Sequence, residues 1–340
     1  MDIEFHYWLT GMIAKRAGFN ESEARTIAYT SEYVDENDVC FQIQSRDESA
    51  PPYGNFICQT MDILKPKQEL MRIYPIFHFV PGEPDADSAR RRDGKMHLLN
   101  TTPNNEYAND MLGAAFKASS DTRLYRIGIA THAYVDTWAH QNFVGWYDYF
   151  NNIGLDPKPD IGHADGEHHP DWISHLWDDN RLTYSEVNNR ERFLSAAKAL
   201  FEQYCGYHAV NGRPDHKAEW PDLEKELIEL QGTTYTGSHC KYLDSRLANY
   251  AQKNDWLAPF NECSWFDEAV ETKVRGLPDS QEGISARFTL FKDEYYWREG
   301  IDKEKTPWYA FQEAVKEHEH YALSIMSKRF NKMGIDLRSK

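Results

Sequence analysis

Apolar and polar positions alternate at helical spacing over residues 3–17, and the pattern stops at Gly18, a residue suited to the left-handed turn that closes a helix. Asn20-Glu21-Ser22-Glu23 then has the form of a capping box and predicts a second helix running to about Val34, with the acidic turn Asp35-Glu36-Asn37-Asp38 at its end. The pattern changes over residues 39–80. Val39–Gln44, Phe56–Leu64 and Met71–Val80 are short, β-prone and broken by Pro51-Pro52, Pro66 and Pro81-Gly82, which predicts a small antiparallel excursion or extended loops. Residues 83–95 form a polar surface loop containing Arg90-Arg91-Arg92. From Glu106 onward helical spacing returns, over about 106–118, 121–141, 142–153, 186–206, 221–231, 241–252, 264–273, 284–296 and 307–330. The stretch Gly154–Asp171, rich in Gly, Pro, His and Asp, reads as a loop between them.

This order of elements predicts an all-α, mainly helical fold with a small β or extended excursion at about 39–80. Gly212-Arg213-Pro214-Asp215 breaks the helical pattern. The expected organisation is a helical domain over 1–210 and a helical C-terminal extension over 211–340 packed on it, with one single domain as the alternative.

Composition narrows the classes of function. The net charge of −16 repels phosphate backbones and anionic lipid head groups at long range, so non-specific nucleic-acid binding is not expected. No apolar run is long enough for a membrane span. The start, Met1-Asp2-Ile3-Glu4-Phe5-His6, has no basic region followed by an apolar one, which makes a cytoplasmic protein the expectation and a secreted chain trimmed of its leader the alternative. Five cysteines at wide spacing, without a CxxC, fit reduced and mostly buried thiols rather than a disulfide framework or a thiolate zinc site.

The chemistry-bearing residues concentrate in two stretches. Within Thr131–His140, His132, Asp136 and His140 stand at i, i+4 and i+8, a stripe about 80° wide on a helix. Leu124, Ile127, Gly128, Thr131 and Val135 lie on or near the same side, so these three polar groups point into apolar surroundings. A buried carboxylate between imidazoles is costly unless paired, and a divalent cation offsets that cost. A hydrogen-bonded His–Asp–His cluster without metal is the rival reading. The second stretch, Gly162–Asp171, holds three histidines and three carboxylates, with His163 and Glu167 as an H-x3-E pair and glycines that let backbone wrap closely. Isolated candidates are His6 in the first helix, His78 in an apolar segment, and Asp35 and Asp38 at a helix C-terminus, where the dipole disfavours acids. The remaining histidines are scattered, and His318 and His320, two apart on a helix, are expected at the surface. Trp138, Trp172 and Trp177 fit core packing or a pocket wall.

An early His, an Asp at the end of the second helix, a later His, then H-x3-D, another His and H-x3-E/D is an order that resembles the zinc-dependent phospholipase C and single-strand nuclease superfamily. The stretches Thr131–His140 and Gly162–Gly166 also resemble those of a group of bacterial proteins of unknown function. The resemblance covers about residues 1–175. It implies a helical bundle with two or three zinc ions in a cleft, iron or another divalent metal being the alternative. It implies His6, Asp35 and His78 as early ligands, His132, Asp136 and His140 as central ones, and His163 with Glu167 to close the site, His168 competing with Glu167. Three features depart from the superfamily: its mature chain starts at a zinc-binding tryptophan, whereas Trp8 here follows His6; the step from Asp136 to His140 is shorter; and the C-terminal portion has no counterpart there.

The expected activity is hydrolysis of a small phosphoester or lipid-like substrate by metal-activated water. Asp35 or Asp38 would orient that water, and an arginine of Arg90–Arg92 or a third cation would neutralise the leaving oxygen. A helical protein with a purely structural metal and a non-haem di-iron protein are the alternatives. Nothing in the sequence sets an oligomeric state.

Overall fold

The computed structural model describes residues 1–46, 50–154, 157–274 and 293–337. The first helix, α1, opens in π-helical geometry over Glu4–Leu9 and continues as an α-helix over Thr10–Arg16. Gly18 follows with φ +113°, the left-handed stop expected of it. Asn20 caps α2 (Glu21–Glu36): its side chain accepts from Glu23 N, and the Glu23 carboxylate accepts from Asn20 N, both at 3.0 Å. After the short strands β1 (Gln42–Gln44) and β2 (Tyr53–Gly54) comes α3, which runs over Lys67–Ile73 and extends in π geometry over Tyr74–His78. Then follow α4 (Glu106–Ala115), α5 (Arg123–Ala139), β3 (Tyr147–Asp148), β4 (Asp160–Ile161), β5 (Leu176–Asp178) and β6 (Glu186–Asn188). The chain continues through α6 (Asn189–Val210), α7 (Trp220–Gln231), α8 (Leu243–Lys253), α9 (Ser264–Ala269), β7 (Val270–Lys273), β8 (Glu294–Trp297) and α10 (Pro307–Lys332).

Helix α5 is the axis of the molecule. Every residue from Arg126 to Ala139 is buried, so this helix has no solvent face and must be covered all round. Helices α2, α4, α6 and α10 pack on it, together with the π turn that ends in His78. At the α2–α5 crossing a Cβ built on Gly128 would stand 2.4 Å from Thr30 Cβ and 2.8 Å from the Ile27 carbonyl oxygen, so only glycine admits this approach. The later helices brace the earlier ones. Arg126 of α5 pairs with Glu317 of α10 at 3.2 Å, and Arg246 of α8 grips buried Glu4 of α1 through two bonds of 2.6 and 2.7 Å. One apolar core runs from Met1 to Leu337.

The chain is mainly helical, but small sheets occur beyond the expected excursion. Strands β1 and β2 do form within 39–80, yet residues 67–78 are helical: Leu70, Met71 and Ile73 are buried together on a helix that starts just after Pro66. The excursion is completed from far along the chain, in a sheet ordered β2-β1-β8-β7. There β8 runs parallel to β1 and antiparallel to β7. The helix expected over 264–273 ends at Ala269, where β-branched Val270 and Thr272 begin a strand. Most of the helix expected over 284–296 lies outside the described residues; its end, aromatic Tyr295-Tyr296-Trp297, is strand β8. The helix expected over 142–153 is absent. Asn142 takes a left-handed φ of +74°, and Asn151 donates to the carbonyls of Val144, Trp146 and Asp160, an arrangement that holds the segment as a turn leading into the β3–β4 pair.

Two further expectations are corrected. Among the five free cysteines only Cys58 and Cys205 are buried, while Cys40 and Cys263 are exposed. His318 is fully buried and stacks on Phe77 at 5.5 Å between ring centres, because the long apolar face of α10 turns it toward α5 and the π turn. His175 and His208 are buried as well.

No helix among the described residues is long and apolar enough to cross a membrane. Replacing Gly128 by Ala should destabilise the protein by about 1–3 kcal/mol through overpacking, although helix propensity alone favours Ala by about 1 kcal/mol; thermal unfolding measures the sign. The buried imidazoles set a pH dependence. Burial, aided by Arg126, holds His318 down to about 3. Burial with His169, and burial with Arg213, hold His175 and His208 down to about 4. Each folded value lies below the free value of 6.5, so the unfolded chain binds more protons in between, and stability rises with pH across that window. Urea midpoints measured in chelator should therefore fall from pH 6.5 toward pH 4, and His318→Gln should flatten part of the slope.

Candidate metal centre

Four elements deliver the site. The π segments of α1 and α3 carry His6 and His78, the last turn of α2 carries Asp35, and α5 carries His132 and Asp136 with His140 just past its end. π turns widen the backbone locally and often mark functional positions. The loop after β4 adds His163 and Asp171. Asp136, His132 and His6 are fully buried, and Asp35 keeps a side chain 28% exposed.

The cluster has two poles. At one, His132 Nε2 lies 3.2 Å from Asp136 Oδ2, 3.7 Å from Asp35 Oδ1 and 3.1 Å from His78 Nδ1. His6 stacks on His132 at 3.8 Å, with Nε2 3.1 Å from Asp136 Oδ1. At the other pole, His140 Nε2 and His163 Nε2 stand 3.2 and 3.4 Å from the two oxygens of Asp171. Between the poles the Met1 amine lies 2.6 Å from Asp136 Oδ1 and 3.3 Å from Asp171 Oδ1. These groups supply three triads of mutually close donor atoms: His6, Asp35 and His132; His78, His132 and Asp136; His140, His163 and Asp171.

Backbone carbonyls orient four of the rings. His132 Nδ1 lies 2.7 Å from the Ser31 carbonyl oxygen, His78 Nε2 2.8 Å from that of Cys58, His140 Nδ1 2.8 Å from that of His78, and His163 Nδ1 2.6 Å from that of Glu167. A carbonyl only accepts, so each of those nitrogens carries a proton and the ring turns its other nitrogen toward the carboxylates. This outer arrangement is the one that orients metal-binding imidazoles. It leaves electron-rich atoms facing one another. Both ring nitrogens of His6 and Oδ2 of Asp136 are buried without a well-aligned hydrogen bond among the described residues, although His6 Nε2 and His132 Nε2 stand 3.1 and 3.2 Å from the Asp136 oxygens. The donor set of imidazole nitrogen and carboxylate oxygen, with these orphaned atoms at its centre, fits zinc or another transition cation.

Electrostatics follow the same geometry. Burial would push the Asp136 carboxyl up, but His140, the Met1 amine, His132 and His6 hold it well below its ordinary value. Asp171 is likewise held well below despite its burial, by His163, the amine and His140. Asp35 is lowered against its burial by His132, His6 and His78. Burial and the His132 charge depress His6 to about 3. His132 goes the other way: the carboxylates of Asp35 and Asp136 outweigh its burial and raise it. The amine, which burial alone would lower, is raised to about 11 by Asp136, Asp171 and Asp35.

The remaining expected residues lie apart from the donor atoms. Glu167 sits at φ +49° after the turn Ala164–Gly166; this reverses the chain and leaves its side chain exposed, so His163 meets its carbonyl and not its carboxylate. Exposed His168 stands on the rim with Nδ1 3.9 Å from Asp171 Oδ2. Asp38 is exposed beyond the end of α2 and does not line the cleft. Asp171 occupies the place expected of Glu167. The signal for it was its density among histidines in the stretch 162–171, but the H-x3-E spacing drew attention to the nearer acid. Its turn is held by Asn189, whose side-chain amide donates to the carbonyls of His169 and Trp172 at 2.8 Å. Gly162, with φ +56°, passes beneath Phe79, where a Cβ would stand 2.5 Å from the ring; Phe79 in turn stacks on His140. Trp172 walls the cleft, whereas Trp138 and Trp177 are buried. Arg90, Arg91 and Arg92 are not among the residues lining it.

The cluster forms the floor of an open cleft of about 500 Å3. A mainly helical protein with a buried histidine–aspartate cluster beneath a cleft is the class these features define. Within it the chain belongs to a family of unknown function, DUF6765, whose model matches residues 1–326. No curated protein and no solved structure matches the chain.

Elemental analysis of the purified protein should find a transition metal, zinc first and iron second, at more than one ion per chain. His132→Ala and Asp136→Ala should lower the stoichiometry, Asp171→Asn should remove about one ion's worth, and Glu167→Gln should leave it unchanged.

Proposed function

We propose that the protein is a metal-dependent hydrolase of phosphoesters. The observation that carries this reading is the set of ring nitrogens turned by backbone carbonyls toward three carboxylates, at the bottom of a cleft open to solvent. A structural zinc site is closed by four protein ligands, whereas the triad His140, His163 and Asp171 offers three and borders the cleft. When bound there, divalent cations would supply Lewis acidity, making water nucleophilic near neutral pH and drawing charge from a phosphoryl oxygen.

The chain's own residues would do the rest. Asp35, the most exposed of the clustered carboxylates, accepts a 3.0 Å bond from Gln59 and faces the cleft, placed to orient the attacking water. The His168 imidazole on the rim is raised above its ordinary value, first by the neighbouring Asp171 carboxylate. With that carboxylate 3.9 Å away, it is the group available to hold a proton for the leaving oxygen, in place of the arginine triplet. Phe79 and the Gly162 turn fix His140 and His163 from behind. Tyr74, Phe79, Ile161 and Trp172 give the cleft an apolar wall, and Met61 and Ile63 stand exposed on its rim, 80% and 51% accessible. That lining suits a phosphoester with an apolar body, including a lipid-like one.

Hydrolysis of generic phosphodiesters and phosphomonoesters, with zinc supplied, tests the reading. His132→Ala and Asp136→Ala should each lower kcat by more than about a hundredfold, the upper range for losing a residue that merely orients a ligand. Equal activity in wild type and both variants would end it. His168→Gln should lose the acidic-side protection of the rate while retaining the metals.

A further inference from the structure

The arginine triplet takes no part in the cleft, but it builds a second cavity. Arg91 and Leu182 form an antiparallel bridge, with Arg92 N donating to the Arg181 carbonyl at 3.0 Å and Thr183 N to the Arg90 carbonyl at 3.1 Å. This pairing sets Arg91, Arg92 and Arg181 along one wall of a cavity of about 750 Å3, with Lys95 and His97 completing it. It shares no lining residue with the metal cleft.

The charges there are unevenly matched. Arg181 is consumed by Asp179, bound through Nε and Nη2 at 2.8 and 2.6 Å, and by the carbonyls of Phe150 and Asn151. Asp93 pairs with Lys95 and Asp148 with His97, both at 3.2 Å. Arg91 and Arg92 have no carboxylate within 4 Å among the described residues. Arg92 spends Nε on the Leu182 carbonyl at 2.7 Å and stays otherwise exposed. Arg91 is 7% exposed; it lies over the Phe150 ring and donates Nη2 to the Asn142 carbonyl at 3.0 Å, while its Nε is buried without a partner. Burial first, and then repulsion from Arg181, bring its pKa down to about 9.

A buried guanidinium whose nearby carboxylates, Asp93, Asp148 and Asp179, form no ion pair with it is costly, and a planar fork of donors is matched best by an oxyanion. Exposed Tyr149 and Met96 add apolar surface beside it. We infer that this cavity is a binding site for a small organic oxyanion, a phosphate or carboxylate held by Arg91 and Arg92 on a protein that is otherwise strongly acidic. The inference does not depend on the reaction proposed for the metal cleft.

Calorimetric titration of the purified protein with inorganic phosphate and with malonate tests it and separates the two ligand types. At least one probe should bind, with affinity at least tenfold weaker in Arg91→Gln and in the surface double variant Arg92→Ala/Lys95→Ala, and unchanged in His132→Ala. The double variant decides if Arg91→Gln does not fold. Absence of binding by both probes, binding unaffected by the double variant, or binding lost only in His132→Ala would overturn the inference; the last result would assign the anion to the metal cleft.

Discussion

Carboxylates repel one another, and unprotonated imidazole nitrogens do nothing to relieve them, yet this protein points both kinds of group into one volume. Asp35, Asp136 and Asp171 converge with His78, His132, His140 and His163, while the carbonyls of Ser31, Cys58, His78 and Glu167 fix ring protons on the far sides. The interior is therefore shaped for positive charge. Among the described residues, the positive groups paired with these carboxylates are the Met1 amine and whichever imidazole takes a proton, and the raised His132 and lowered Asp136 express that demand. A resident cation meets the same demand without taking a proton from solution.

The surrounding helices follow from this constraint. Helix α5 must place His132 and Asp136 where water does not screen them, so it is buried on every face, and α2 comes close enough at Gly128 for Asp35 to reach the same volume. The elements after residue 210 serve as bracing. Arg246 of α8 holds Glu4 two residues before His6, and α10 packs on α5, tied to it by the Arg126–Glu317 pair. These contacts give the C-terminal third a physical role in holding the cluster even though, among the described residues, it supplies no donor to the three histidine–aspartate triads.

What could be read from the sequence depended on how local the determining interaction was. The stripe His132, Asp136, His140 needs only the pitch of a helix, and the cap at Asn20 needs only four residues. Of the β-prone stretches only Val39–Gln44 holds a strand, Phe56–Leu64 forming none; β2 at 53–54 lies between them, and the partners β7 and β8 lie more than two hundred residues away with nothing local to signal that pairing. The π turns that carry His6 and His78 have no pattern distinct from that of a helix. Asp171 was hidden by a nearer acid at a familiar spacing, and the outcome turned on one backbone angle at Glu167. The arginine triplet looked like solvent-exposed charge, because the bridge to Leu182 that buries Arg91 is formed with a segment some ninety residues further on.

Full enclosure of α5 also bears on how the chain is made. Its covering helix α10 begins at Pro307. At a ribosomal rate of about 5–20 residues per second, roughly 10–30 s separate the emergence of the two. During that interval the side of α5 meant for α10 is uncovered. A nascent chain in that condition is a natural client for holding chaperones, and a truncation before α10 would leave an aggregation-prone fragment instead of a smaller stable protein.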